Sequence, residues 1–477
     1  MKLYNSLTRR EEELVPSHGD TVTLYNCGPT VYWNMQIGNL RAHTFVDVLR
    51  RTIEYLGYDI KQVMNLTDVG HLSDDADAGE DKMEKTAERE KKDVWAIADE
   101  YIASVKSDFK AMNFLEPKRW VRATEHIEDM IDMIKKIEEN GYTYETKQAV
   151  YFDVTKYHDY TRLQGGQALD EKKVGVRDEV NVDPEKKHPA DFALWIRCVG
   201  LHEHHVMKWD SPWGVGFPGW HIECSAMGTK YLGTDIDIHT GGEDHIMVHH
   251  PNERAQNYGA YEKEVVKMWV HNLFLLVDGG KMGKSRGNMY ELRDVTEKGF
   301  DPMDLRFFFL GAHYRKRQHF TWDNLTAARV SRLKLVDVVR GLQKRAIHTA
   351  DGKVSEQWKA MFIGALEEDV MTPRAVAVVW DMLKDSNVSD ADMLATLLDF
   401  DRVLGLQLDE VDTNEEEITV EMKSKIERII EKRDQARKSK DWVVADECRK
   451  ELSALGVEIE DTKDGTTWNV SSTGTYG

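Results

Sequence analysis

Residues 21–68 restrict the fold most. Thr21 to Cys27 (TVTLYNC) is a β-rich run that stops at Gly28-Pro29. After a Gly-containing loop, LRAHTFVDVLRRTIEYLGY runs to Gly57, with Phe45, Val48, Leu49, Ile53 and Leu56 approximating one helical face. A second strand-like run, DIKQVMNLTDV, comes next. Strand, loop, helix and strand in that order imply an α/β, Rossmann-type parallel sheet of the doubly wound kind. Such sheets bind ligands at the carboxyl ends of their strands, which is where Cys27 and Asn65-Leu66-Thr67-Asp68 would lie.

Further along, residues 73–93 are dense in charge and read as a solvated loop entering an exposed helix. Residues 120–140 read as helical, and 130–205 as a subdomain spliced into the first domain. Strand-loop-helix patterns return from 206. Beyond about 325 the pattern is helical, with a bundle expected to about 407. The acidic run LDEVDTNEEE then leads to a long charged helix and a polar tail, expected to form a small separate domain.

The chain has 477 residues, enough for about three domains, and 41 % are apolar, which excludes a disordered chain. No run approaches the ~20 apolar residues of a membrane helix, and the N-terminus lacks an apolar signal core. Cys27, Cys198, Cys224 and Cys448 are widely spaced without a CxxC pair, which fits a reducing, cytoplasmic setting. A net charge of −20 argues against wholesale coating of nucleic acid and against a DNA partner. RNA contact then needs local basic patches. Residues 313–345 supply one, with nine Lys/Arg against Asp323 and Asp337.

Two constellations carry chemistry. Between His239 and His250 four histidines fall within 12 residues, and Glu253 follows. On a helix starting near His249, positions 249 and 253 share a face. Two thiolates from elsewhere, with Cys27 and Cys224 the natural candidates, would complete a tetrahedral zinc site. Spacing alone equally fits scattered polar histidines and ordinary buried thiols. The second constellation handles phosphate. Gln36-Ile37-Gly38-Asn39 precedes a helix whose N-terminus would offer free N–H groups to an anion. Gly279-Gly280-Lys281-Met282-Gly283-Lys284-Ser285 is a glycine-rich loop with two lysines three apart, able to close over a triphosphate. It lacks the GxxxxGK[ST] of a Walker A motif. Each segment also fits a plain surface turn.

Taken together, Cys27-Gly-Pro-Thr-Val-Tyr32, Gln36-Ile-Gly-Asn39, Gly219-Trp-His-Ile-Glu-Cys-Ser-Ala-Met227, His249-His-Pro-Asn-Glu253 and Lys281-Met-Gly-Lys-Ser285 occur in the order found in class I aminoacyl-tRNA synthetases. The chain resembles the cysteinyl-tRNA synthetases over essentially its whole length, including Arg437 to Asp446 and Asp461 to Trp468. The resemblance implies a Rossmann catalytic domain in two halves, 1–129 and 206–275, around a connective insertion at 130–205. A stem-contact region with a KMSKS-like loop would follow at 276–325, then a tRNA-binding helical bundle at 326–407 and an anticodon-binding domain at 408–477.

The same resemblance implies a cysteine–tRNA ligase. Cysteine and ATP, with magnesium, would give cysteinyl-adenylate and pyrophosphate, and the cysteinyl group would pass to the 3′ end of tRNA-Cys. One zinc per chain, held by Cys27, Cys224, His249 and Glu253, would select the thiolate. Gln36, Gly38, Asn39, Lys281 and Lys284 would be catalytic, with Gln36, Asn39, Lys284, Asp244 and His239 on ATP and Thr67, Trp220 and His239 on cysteine. Arg437, Trp442, Asp446 and Asp461 would read the anticodon. A cytoplasmic monomer is the family-level expectation. Two departures stand out: Gln36 opens the signature where the family usually has histidine, and Gly283 replaces the usual serine of the loop. Two other readings compete. One is a zinc enzyme that joins cysteine to an amino sugar, a family without the C-terminal region. The other is a non-catalytic RNA-binding paralogue, for which Gln36 is the main argument.

Overall fold

In the computed structural model, the β-rich run after residue 20 forms the strand Thr21–Asn26 (β1). The residues described are 1–477 apart from 71, 73–80, 167–168, 170–182, 282–286, 347–351, 412–419, 456, 463–464 and 471–477. β1 pairs in parallel with Asp59–Leu66 (β2), and β2 with Arg119–Arg122 (β3). On its other side β1 pairs with Ile236–Gly242 (β4), and β4 with Val266–Asn272 (β5), again in parallel. The order is therefore β5-β4-β1-β2-β3. The chain winds outward in both directions from β1, so a crevice opens where the carboxyl ends of β1 and β4 diverge.

Alternation along these strands feeds two cores. Val22, Leu24, Ile60, Ile238 and Val270 face one side and meet Phe45, Val48, Leu49 and Ile53 of the helix Ile37–Tyr55. Tyr25, Val63, Ile236 and Trp269 face the other and meet Ile222 and Ala226 of the helix Trp220–Leu232 and Ala255 of the helix His249–Tyr261. The sheet is covered on both faces, and the polar side chains it buries, such as Thr23 and Asp237 or Asn26 and Gln62, are hydrogen-bonded to one another.

Four features differ from the sequence expectation. Residues 119–122 are strand rather than helix: RWVR is too short to show a period, and only its pairing with Val63–Leu66 reveals it. The helix begins at Ile127 and packs Met130, Ile134 and Ile137 into the second core rather than into an insertion. The inserted antiparallel sheet comprises Thr143–Glu145, Ala149–Phe152, Phe192–Arg197 and Gly216–Pro218. Its last strand lies beyond the expected end at 205. Within the charge-dense stretch, residues 73–80 lie outside the described residues. The helix Lys82–Glu90 that follows is not simply exposed, because Met83, Thr86 and Ala87 are buried.

Beyond the sheet, the helices Pro302–Leu310, Trp322–Ala346, Glu356–Glu367, Thr372–Met382 and Asp390–Leu404 continue the first core through Leu310, Val339, Phe362, Val379 and Phe400. One buried cation ties these layers together. Arg306 is fully buried, pairs with Asp47 of the first helix at 2.5 Å, and donates to the carbonyls of Leu404 (2.7 Å) and Met112 (3.1 Å). Asp47 also accepts from Arg51 and from the Leu115 N–H. A buried ion pair is tolerable only when its remaining donors and acceptors are filled in this way. Gly405 sits at φ +64°, and a Cβ there would lie 2.5 Å from Arg306 Nη2, so glycine is required on both counts.

The C-terminal helices Val420–Lys438 and Trp442–Ala454 and the hairpin Val457–Thr462/Gly465–Val470 enclose a separate small core of Ile426, Ile429, Ile430, Cys448, Leu452 and Val457. Among the described residues no helix is long and apolar enough to cross a membrane.

Candidate active site

Cys27 leaves β1 directly, and its N–H is held by the Thr240 carbonyl at the end of β4. The next residue must be glycine, since a Cβ on Gly28 would lie 1.7 Å from the Asn65 carbonyl oxygen. Cys224 projects from the helix 220–232, and His249 and Glu253 lie one turn apart on the helix 249–261. The ligand atoms of Cys27, Cys224, His249 and Glu253 all fall within 4.8 Å of one another. The thiols are 3.9 Å apart, and His249 Nε2 is 3.0 Å from Glu253 Oε1. Two sulfurs, one imidazole and one carboxylate are the donor chemistry that suits zinc, so these residues fit that ion.

The surrounding shell was not legible in spacing. His239 Nε2 meets Glu253 Oε2 at 2.8 Å, and His221 Nδ1 meets His249 Nδ1 at 2.8 Å. Each fixes the orientation of a ligand side chain. His250 Nε2 lies 3.4 Å from Cys27 Sγ, and His250 passes contact on to His271 at 2.7 Å. Cys27, His239, His250 and Glu253 form a second close donor set that shares two members with the first.

Electrostatics prepares the cluster for a cation. Burial opposes ionisation of Cys224, but a hydrogen bond from Cys27 and the neighbouring His249 bring its thiol down to about 6. Burial also opposes protonation of His249, yet Glu253 and Cys224 push it up to about 10. Burial would raise Glu253 as well, and His239 and His249 hold it well below the usual carboxylate range. A cation in their midst would take the place of the His249 proton.

Cys27, Cys224 and His249 of the cluster line a cleft of about 1580 Å³, counted with its opening to solvent. Gln36, Gly38, Asn39, Thr67, Trp220, Cys27, Cys224, His249 and Asp244 all line it, so most of the expected site residues converge. Gln36 caps the helix 37–55, and the Asn39 side-chain oxygen accepts the Gln36 N–H at 3.0 Å, leaving only its amide nitrogen for a ligand. Trp220 stacks near His249, with ring centroids 4.5 Å apart. Thr67 donates to Glu223 Oε2 at 2.8 Å and accepts from Asn65 at 3.0 Å. Burial pushes the Glu223 carboxyl well above its ordinary range. His239 is placed differently from the expectation. It does not line the cleft but lies behind Glu253, stacked on Trp269 at 4.7 Å.

Lys281 ends a short strand, Gly280–Lys281, paired with Leu276–Val277; Lys284 lies outside the described residues. Arg437, Trp442 and Asp446 are exposed on the C-terminal helices, and Asp461 lies in the hairpin. The basic stretch 313–345 is much less cationic than its sequence. Arg315 pairs with Asp369 and Glu11, Arg317 with Glu243, Arg340 with Asp337, Arg345 with Asp390, and Arg332, nearly buried, with Asp304. All these acids except Asp337 lie outside the stretch, where a local count does not see them.

The sequence matches the family described as "tRNA synthetases class I (C) catalytic domain" over residues 13–330 and "Cysteinyl-tRNA ligase anticodon binding domain" over 419–468. It is 41 % identical to a cysteine–tRNA ligase of Treponema denticola, covering 98 % of this chain and 99 % of that one.

The chain belongs to the cysteine–tRNA ligase family.

A second family member, cysteine–tRNA ligase 1 of Burkholderia lata, is 42 % identical over 98 % of this chain and 96 % of its own. Among solved structures, Mycobacterium tuberculosis methionyl-tRNA synthetase with methionyl-adenylate superposes with a TM-score of 0.54 at 13 % identity, over 81 % of this chain and 90 % of that one, which bears on the fold alone. For a cysteine–tRNA ligase the antiparallel insertion and the C-terminal pair of helices are thus placed within matched family regions.

Proposed function

We propose that the cleft is where cysteine is activated by ATP and then transferred to the 3′ end of tRNA-Cys. The observation that carries this reading is the convergence of Cys27, Cys224, His249 and Glu253, the first three of which line the same cleft as Gln36, Gly38 and Asn39 at the start of the helix 37–55. Cys27, Cys224, His249 and Glu253 would hold zinc, which would supply a preference for a thiolate over a hydroxyl, the chemistry needed to tell cysteine from serine.

The chain's own residues do the rest by alignment. The Gly38 N–H in the first turn of the helix 37–55 and the side-chain amide nitrogens of Gln36 and Asn39 are the donors offered to the ATP phosphates, the Asn39 N–H being taken by the Gln36 side chain. Gly241 and Gly242 line the same cleft, and a Cβ on Gly242 would meet Asp244 Oδ1 at 2.3 Å, so glycine there lets Asp244 pack close to the backbone at the cleft. Lys281 and Lys284 meet charge that grows as pyrophosphate leaves. Attack of the cysteine carboxylate on the α-phosphate forms the adenylate, and a terminal ribose hydroxyl of tRNA displaces AMP. Arg437, Trp442, Asp446 and Asp461 contact the anticodon, and the protein acts as a cytoplasmic monomer without DNA or membrane partners. Cysteine-dependent ATP–pyrophosphate exchange, followed by charging of tRNA-Cys, tests the reading. Exchange without charging would point to the amino-sugar ligase.

Gln36 decides between an enzyme and a decayed paralogue. The enzyme is expected to be active, and Gln36→His should change exchange by less than about tenfold, since one neutral donor replaces another for about 1 kcal/mol. Gln36→Ala removes the donor and should cost about 2–3 kcal/mol. An inactive parent rescued by histidine would reverse the assignment.

A further inference from the structure

The mouth of the cleft carries a feature that neither step of the chemistry uses. Tyr32 and Lys82 both line the cleft, with the Lys82 ammonium 5.6 Å from the Tyr32 ring centroid. One residue outward along the loop, Trp33 lies beneath the Arg89 guanidinium at 4.6 Å. Lys82 and Arg89 are seven apart on the helix Lys82–Glu90, so they share a face. Two cation-over-ring pairs thus stand side by side, Lys82 with Tyr32 in the cleft lining and Arg89 with Trp33 next to it.

This edge is held firmly. Asp81 caps the helix by accepting from the Met83 and Glu84 N–H groups, and it is itself met by His205 at 3.1 Å. Thr86 Oγ1 donates to the Tyr32 carbonyl at 3.3 Å, which joins helix and loop. The loop is fixed to the sheet by Val31 N–H to Thr67 O and Thr67 N–H to Pro29 O. The acidic Glu84 turns away, accepting the Val206 N–H. Arg89 also touches Glu90 in an exposed pair of the kind that contributes little.

Aromatic rings paired with cations are the chemistry that recognises single-stranded nucleic acid: bases stack on rings and on guanidinium planes, and phosphates meet the cations. We propose that Tyr32, Trp33, Lys82 and Arg89 form the entry track for the single-stranded 3′ end of tRNA. The proposal rests on the synthetase reading above, in which that end must reach the cleft. Among the described cleft-lining residues Lys82 is the one Lys or Arg, so the track also supplies positive charge where the strand enters.

Trp33 and Arg89 lie outside the cleft lining, which makes a clean test possible. Trp33→Ala, Arg89→Ala and Arg89→Lys are compared with the parent in pyrophosphate exchange, which needs no tRNA, and in tRNA-Cys charging across tRNA concentrations. Exchange is expected to stay within about twofold, while the KM for tRNA rises about tenfold in both alanine variants and less in Arg89→Lys, which keeps the charge. An unchanged KM for tRNA in both alanine variants overturns the track. So does a parallel fall in exchange, which would make these residues supports of the nucleotide side. A parent protein that neither exchanges nor charges overturns the synthetase reading and the track with it.

Discussion

Replacing Cys224 by serine will empty the metal site and abolish cysteine binding together. The unsubstituted protein is expected to carry one zinc per chain by elemental analysis, and Cys224→Ser well under one. Cysteine-dependent exchange should fall by at least about a hundredfold, on the order of 3 kcal/mol. A hydroxyl is a poor partner for zinc beside a thiolate. The site also offers no alternative for the charges left behind: Glu253 and His249 are buried, and each is held in its charged form by the others. Full activity with little zinc would sink the assignment.

The second large effect is Lys284→Ala. Adenylate formation should slow by about a hundredfold, while the KM for cysteine moves by less than about threefold. A cation that meets departing pyrophosphate acts in the transition state, so its loss appears in rate rather than in ground-state binding. The stem of its loop is suitably placed, because Gly280–Lys281 pairs with the strand that begins at Leu275, a residue of the cleft wall. An exchange rate equal to the parent's would remove this loop from the mechanism.

Much of the parallel sheet was legible because its strands are short apolar runs bounded by glycine and separated by a helix with an apolar face. Arg119–Arg122 escaped because four residues with charges at both ends have no period, and its identity as a strand resides in a partner more than fifty positions away. The donor cluster was legible as residue types, and the pair His249/Glu253 as a helical spacing, but the thiols came from distant segments. His239 was placed on cysteine and ATP by the family resemblance and not by its surroundings in the chain. In a strand, neighbours point to opposite faces, and His239 points to Glu253 and Trp269 instead. The basic stretch misled for a similar reason: Glu11, Glu243, Asp304, Asp369 and Asp390 reach it only through the fold.

The buried Arg306 has a consequence for how the molecule comes apart. It joins the helix that begins at the cleft, the segment around Met112 and the last turn of the bundle at Leu404 through one guanidinium. None of these can leave without stranding a charge away from water, so the sheet and the bundle should melt as one cooperative unit. The C-terminal helices have their own core and no share in that guanidinium. A shortened chain that stops after the bundle should therefore still exchange pyrophosphate and no longer charge tRNA efficiently, so that amino-acid chemistry and anticodon contact would reside in physically detachable modules.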